Sequence, residues 1–317
     1  MVTQTQSGKA FEYALLIALQ NKVNNGQKIK IQKDNSYKIA KESFESCLSN
    51  EQRHYFKAAT VAIKHIGTIE PRLENPINSE EIVLSIQADQ KGEDGDIRDI
   101  LMVRTKSNWE IGFSAKNENS AVKHSRLSDK IDFGQKWFGV NCSESYMSVV
   151  GVIFGKIRKL MRESRMNGDV LLWSDVPKIS DYYVPVLEAF EKEICSLIKS
   201  NKDIPLSLLE YLIGKNDFYK IMKFKDIVTI QGYNLHETLN MSSNSINPQN
   251  KVSKLKFPTE IISVTRNDNN KTIITFDKGW QISFRIHSAS SKAEPSLKFD
   301  VRLEGVPPSL YSHNELW

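Results

Sequence analysis

Asp99 and Lys116 are the residues whose types and spacing first suggest chemistry. The aspartate lies in DIRDILMVR (96–104), a run rich in apolar and β-branched residues. The lysine closes WEIGFSAK (109–116). If these two runs are adjacent antiparallel strands, a carboxylate and an ammonium meet near the end of both. That pair suits phosphodiester hydrolysis. A carboxylate holds a hard cation such as Mg²⁺, which takes oxygen ligands. The cation polarises a phosphoryl oxygen and lowers the pKa of a bound water. The lysine orients that water and offsets charge developing at phosphorus. The backbone carbonyl of Ala115 is a further candidate ligand. Glu12 adds a third ionisable group, because Leu15 and Leu16 follow it at i+3 and i+4 and set it on an apolar helix face. The ordinary roles stand beside these: a turn aspartate, a solvated lysine, and an acid that favours a helix N-terminus.

The elements that must position these groups can be read locally. GKAFEYALLIAL (8–19) is dense in helix formers and apolar on more than one face, so it predicts a buried helix. A helical stretch over 39–66 follows, broken near Ser49-Asn50. Ile82, Leu84, Ile86 and Ala88 alternate with neighbours at strand period. With the runs 96–104 and 109–116 they predict a three-stranded antiparallel meander joined by turns at 91–95 and 105–108. Residues 117–128 read as a helix behind the third strand. From Ser143 to Tyr233 the chain reads as mostly helical, over 146–165, 182–199 and 206–223. The polar stretch NMSSNSINPQN (240–250) predicts a linker. Strands are expected beyond it at 260–266, 272–276, 281–287 and 297–303. The division this suggests is a core over 1–240, carrying a helical insertion, and a β-rich region over 251–317.

The chain has 317 residues, with 43 Lys+Arg against 38 Asp+Glu, a mildly basic balance that permits an anionic partner without requiring one. No apolar run approaches the ~18 residues of a membrane span. Cys47, Cys142 and Cys195 lie far apart, without metal-ligand spacing. A reduced, cytoplasmic protein with no membrane partner is expected, and a thiolate zinc site is not.

Several idiosyncratic strings now combine: GKAFE, GDIRDI, WEIGFSAKNENSAVKHSRLS, DFGQKWFG and GWQISFRIHSASSKAEPSLKFDVRLEGVP. Together they resemble the HaeIII family of type II restriction endonucleases, most strongly over 92–139 and 279–307. The resemblance implies an α/β fold with a PD-(D/E)xK core, a central mixed sheet flanked by helices. It also implies Mg²⁺-dependent cleavage of double-stranded DNA at GGCC, leaving 5′-phosphate and 3′-hydroxyl ends. Asp99 matches the motif's aspartate, Lys116 its lysine, and Glu12 resembles the helix-borne acid of many members. The motif's second acid falls at Ser114, which is not a strong ligand. Glu12, Asp96 or Glu110 must then substitute. Glu110 lies roughly 20 Å along an extended strand from Lys116, and Asp96 points to the opposite face from Asp99 in a regular strand. Glu12 is placed first.

Lys123, His124 and Arg126 are candidate phosphate contacts on the expected helix after Lys116. Their ordinary role is a solvated basic face. In the strand 281–287, Gln281, Ser283, Arg285 and His287 share one face and Ile282, Phe284 and Ile286 the other. With the apolar face inward, Arg285 could donate to guanine N7 and O6 in the major groove. Trp109, Trp137 and Trp280 read as core. A palindromic site invites a homodimer, with a monomer nicking twice as the alternative. Ser114 also motivates a different class, a sequence-specific DNA-binding protein with a decayed, non-catalytic nuclease core. A damage- or structure-directed repair nuclease is the third.

Overall fold

The computed structural model describes residues 3–23, 27–74, 80–88, 95–118 and 123–317, without the side chains of Lys123 and His124. The expected turn at 91–95 falls largely outside the described residues. The chain forms two compact units, one from Met1–Ser120, Gly214–Lys256 and Ser309–Trp317, the other from Ala121–Ile213 and Phe257–Pro308. Each is interrupted in sequence by the other. The polar stretch 240–250 lies inside the first unit and is no free linker. The Asn240 side-chain amide donates to the carbonyls of Ile69 at 2.8 Å and Asn250 at 2.9 Å. Its backbone N–H donates to Glu70 at 2.6 Å.

The first unit is built on a seven-stranded mixed sheet. Its strands are β1 (Ile29–Ile31), β2 (Ile82–Ile86), β3 (Ile100–Arg104), β4 (Trp109–Asn117), β6 (Phe218–Lys223), β7 (Ile227–Tyr233) and β12 (Tyr311–Leu316), in that spatial order. The meander β2–β3–β4 is antiparallel throughout, as the alternation predicts. β4 and β6 are parallel. Parallel neighbours need a long crossover, and residues 121–213 of the second unit lie within this one. Helix α1 (Gln4–Val23) packs on β2 and β4, burying Phe11, Leu15, Leu16 and Leu19. Helices α2 (Asn35–Glu45) and α3 (Ser49–Ile69) realise the expected broken helical stretch. α3 lies against β7 and β12, and α4 (Pro71–Glu74) follows it.

The second unit carries a five-stranded antiparallel sheet. Its order is β5 (Lys123–Leu127), β11 (Leu297–Gly305), β10 (Gln281–His287), β9 (Lys271–Phe276) and β8 (Ile261–Asp268). Its helices are α5 (Phe133–Phe138), α6 (Glu144–Met166), α7 (Val184–Ser200) and α8 (Ile204–Ile213). Phe190 of α7 and Trp137 of α5 pack with Phe284 and Phe299 of the sheet at ring-centroid distances of 5.0–6.3 Å. Trp109, Trp137 and Trp280 are all buried, as expected.

Two expectations are corrected. The described part of 117–128 holds no helix: β4 runs through Asn117, and β5 pairs with β11, whose partner residues are far along the chain. The helix expected over 206–223 ends at Ile213, and the remainder is strand β6. Among the described residues no helix is long and apolar enough to cross a membrane.

Candidate active site

Asp99 sits at the mouth of β3, where its N–H donates to the Phe113 carbonyl at 2.8 Å. Its row across the sheet continues through Ser114 of β4 to Lys220 of β6, by the registers of both pairs. Because strand side chains alternate, Ser114 and Lys116 project from one face of β4. Three donors converge on Asp99 Oδ2: the Ala115 N–H at 2.7 Å, the Ser114 hydroxyl at 3.1 Å and the Lys116 ammonium at 3.4 Å. All of these bonds fall on one carboxylate oxygen. The carboxylate is therefore fixed in orientation while Oδ1 makes no hydrogen bond or ion pair among the described residues.

Glu12 comes to the same place from α1. Its side chain is 8% exposed, and Lys9 one turn earlier meets Oε2 at 3.1 Å. Burial first, and the negative charge of Asp99 second, push the Glu12 carboxyl up to about 8; Lys9 and Lys116 pull it back. A buried carboxyl whose ionisation is opposed by a neighbouring carboxylate makes a site that a divalent cation would relieve. The donor set, two carboxylates, is all oxygen, which fits a hard ion such as Mg²⁺.

The competing acids are engaged elsewhere. Asp96 Oδ1 and Oδ2 each accept from Arg98 at 2.8 Å, and Oδ2 also from Gln87 at 3.0 Å. Burial pushes the Asp96 carboxyl up, but Arg98 and Gln87 outweigh it and hold it below its ordinary value. Glu110 meets the other end of the same guanidinium at 2.6 Å. Ser114, 1% exposed, spends its hydroxyl on orienting Asp99.

Lys220 is a residue that the sequence reading missed. It is buried, and burial followed by the Lys116 charge pushes its ammonium down to about 7. A second amine thus borders the lysine of the site. FYKIMK (218–223) carries no strand alternation, its two lysines standing three apart, and it follows closely on a helical run.

The other expected contacts lie on the second unit's sheet. Lys123 and His124 are strand residues paired with Val301 and Asp300; their side chains are outside the described residues. Arg126 bonds Glu294 at 3.0 Å and Ser296 at 2.8 Å. On β10, Arg285 is half exposed and 3.6 Å from Asp300, which also holds Arg302 at 3.0 Å. Gln281 donates to the Thr275 hydroxyl at 2.9 Å, and His287 Nδ1 lies 2.9 Å from the Ser288 carbonyl. Ser283 does not fit an open polar face: it is 1% exposed and its side chain bonds Glu304.

Sequence comparison places these features in a family. No solved structure matches the chain. Type II restriction enzyme HaeIII of Haemophilus aegyptius is 39% identical over 317 residues, covering 98% of this chain and 97% of that protein. With residues 8–307 also matching the family of the HaeIII restriction endonuclease, a span that takes in Glu12, Asp99, Lys116 and all of β10, the chain belongs to the HaeIII restriction endonuclease family.

Proposed function

We propose that this type II restriction endonuclease cleaves both strands of double-stranded DNA at the palindrome GGCC with Mg²⁺. Glu12, Asp99 and the Ala115 carbonyl would hold the ion, which when bound would supply Lewis-acid polarisation of the scissile phosphate and a more acidic water. Lys116 positions that water and sets a positive charge against the phosphorane oxygens. Water adds to phosphorus as the bond to the 3′ oxygen breaks, leaving a 5′-phosphate and, after protonation, a 3′-hydroxyl. Ser114 and the Ala115 N–H keep Asp99 from rotating. The observation that carries the reading is the convergence of Ser114, Ala115 and Lys116 on Asp99 Oδ2, with Glu12 pressed electrostatically against the same carboxylate.

On the DNA side, Arg285 reads guanine in the major groove. Gln281, His287, Arg126, Lys123 and His124 contribute groove or phosphate contacts, and buried Ser283 braces Glu304. A two-fold site is matched by two copies of the chain, one active site per strand.

Incubation with a plasmid bearing mapped GGCC sites tests the reading. Discrete fragments ending at those sites, formed with Mg²⁺ and absent with chelator, are the expected result. Fragments ending at another sequence would remove the specificity. Lys116→Ala should abolish cutting while binding of a GGCC duplex persists; lost binding with retained cutting would refute the role of the lysine.

A further inference from the structure

At the far edge of the seven-stranded sheet, three side chains with nitrogen and oxygen donors meet outside the site described above. His65 projects from α3, and His313 and Glu315 from β12, where they are two residues apart and share one face. Glu315 Oε1 lies 2.9 Å from His313 Nε2 and 3.5 Å from His65 Nδ1, and the three donor atoms all fall within 4.8 Å of one another. The two imidazole rings are stacked at 3.8 Å between centroids, with planes 2° apart.

We propose that His65, His313 and Glu315 form a binding site for a zinc-class divalent metal that pins the edge strand β12 to helix α3. Two imidazoles and one carboxylate are a standard zinc ligand set, with bonds of about 2.0–2.2 Å. Donors at such distances from one tetrahedral centre stand about 3.3–3.6 Å from each other, close to the 2.9 and 3.5 Å observed. The two nitrogens lie within 4.8 Å of each other, so a small tilt of the stacked rings suffices to bring both onto one ion. Water completes the fourth position, since His313 and Glu315 are more than a third exposed.

A second observation points the same way. His65 Nε2 is 2.6 Å from the Tyr311 hydroxyl, on the same strand. In the ligating tautomer Nε2–H donates to that oxygen, leaving the Nδ1 lone pair facing the Glu315 carboxylate. Metal-bound histidines nearly always carry such an outer hydrogen bond, which fixes ring orientation. The donor set also separates this site from the active site, because Mg²⁺ favours all-oxygen ligands and a borderline ion favours imidazole. The gain to the fold is specific. Among the described residues β12 pairs only with β7, and a metal joins this edge to a helix.

Calorimetric titration of chelator-treated, full-length protein with Zn²⁺, in excess Mg²⁺ to fill the all-oxygen site, tests the proposal. One Zn²⁺ per chain is expected, with a higher Tm and slower amide exchange confined to 311–316 and adjoining β7. His313→Ala should abolish stoichiometric binding, and Tyr311→Phe should weaken it by roughly tenfold. Should His313→Ala fail to fold by circular dichroism, Glu315→Gln decides, because it keeps the shape and removes the charge. Absence of stoichiometric Zn²⁺ binding by the natural chain, or equal binding by these variants, overturns the proposal. None of these readouts depends on DNA cleavage.

Discussion

The Ser114 hydroxyl donates to Asp99 Oδ2 at 3.1 Å, so a buried serine serves this carboxylate as an orienting donor. A net hydrogen bond to a charged partner contributes about 1.5–3 kcal/mol, and a neutral one about 1. Ala115 N–H and Lys116 still hold the same oxygen. Ser114→Ala is therefore expected to slow cutting by roughly 2- to 10-fold and leave DNA binding unchanged. Single-turnover cleavage with saturating enzyme measures it. An inactive Ser114→Ala protein with normal binding would mean that the hydroxyl does more than orient Asp99.

Glu12 gives a pH prediction for the metal-free protein. Its carboxyl rises from an ordinary 4.5 to about 8, through burial and then Asp99. The folded state thus favours the protonated form. Stability from this group is complete below about pH 4.5 and is lost as pH rises through about 8. In chelator, thermal unfolding should occur at progressively lower temperature between about pH 5 and about pH 9, beyond the trend of a Glu12→Gln variant. At the alkaline end the variant should be the more stable of the two, by a margin on the order of a few kcal/mol. Mg²⁺ should narrow the gap in the natural chain only. Parallel pH profiles for the two proteins in chelator would show that Glu12 ionises as freely as a surface acid.

Arg98 and Gly112 form a second relationship with a measurable consequence. Arg98 is 7% exposed and runs over β4 so closely that a Cβ on Gly112 would stand 2.1 Å from its Cδ. Its head is pinned by Asp96 and Glu110, so it cannot swing clear without breaking both bonds. Gly112→Ala should cost about 1–3 kcal/mol through overpacking. In an Arg98→Ala background the same change should cost little, since the obstructing side chain is gone. Urea denaturation of the four proteins completes the cycle, and additive costs would show that the contact is not the cause.

The parts of the site that were legible in sequence are those carried by local pattern. Alternation over 82–88 and the short turns around 91–95 and 105–108 predict the meander, and the meander alone brings Asp99 beside Lys116. Lys220 was illegible because every residue of β6 is buried. A strand covered on both faces loses the period of two, and a short apolar run then reads equally well as helix. β5 was misread for a different reason: its partner β11 begins at Leu297, so nothing local fixes its state. The two units interleave in sequence, which no compositional boundary reveals. Ser283 lies on the polar side of an alternating strand, yet Glu304 of the neighbouring β11 bonds it, and only the sheet shows that.

Arg285 is the β10 residue best placed to test sequence reading. Its side chain is half exposed and lies 3.6 Å from Asp300. Asp300 is held more closely by Arg302 at 3.0 Å, so the Arg285 guanidinium can leave it for a base edge without stranding the carboxylate. A bidentate arginine–guanine contact discriminates by about 1–3 kcal/mol. Arg285→Ala should weaken binding to a GGCC duplex by that amount and barely alter binding to unrelated duplex. Arg302→Ala, by contrast, leaves Asp300 leaning on Arg285. It should weaken specific binding indirectly, and Arg302→Lys should restore part of it. Fluorescence anisotropy at several salt concentrations separates the cases, because a phosphate contact lowers the salt slope and a base contact does not. If Arg285→Ala weakens both duplexes equally and lowers the slope by about one, the arginine grips the backbone and the guanine assignment fails.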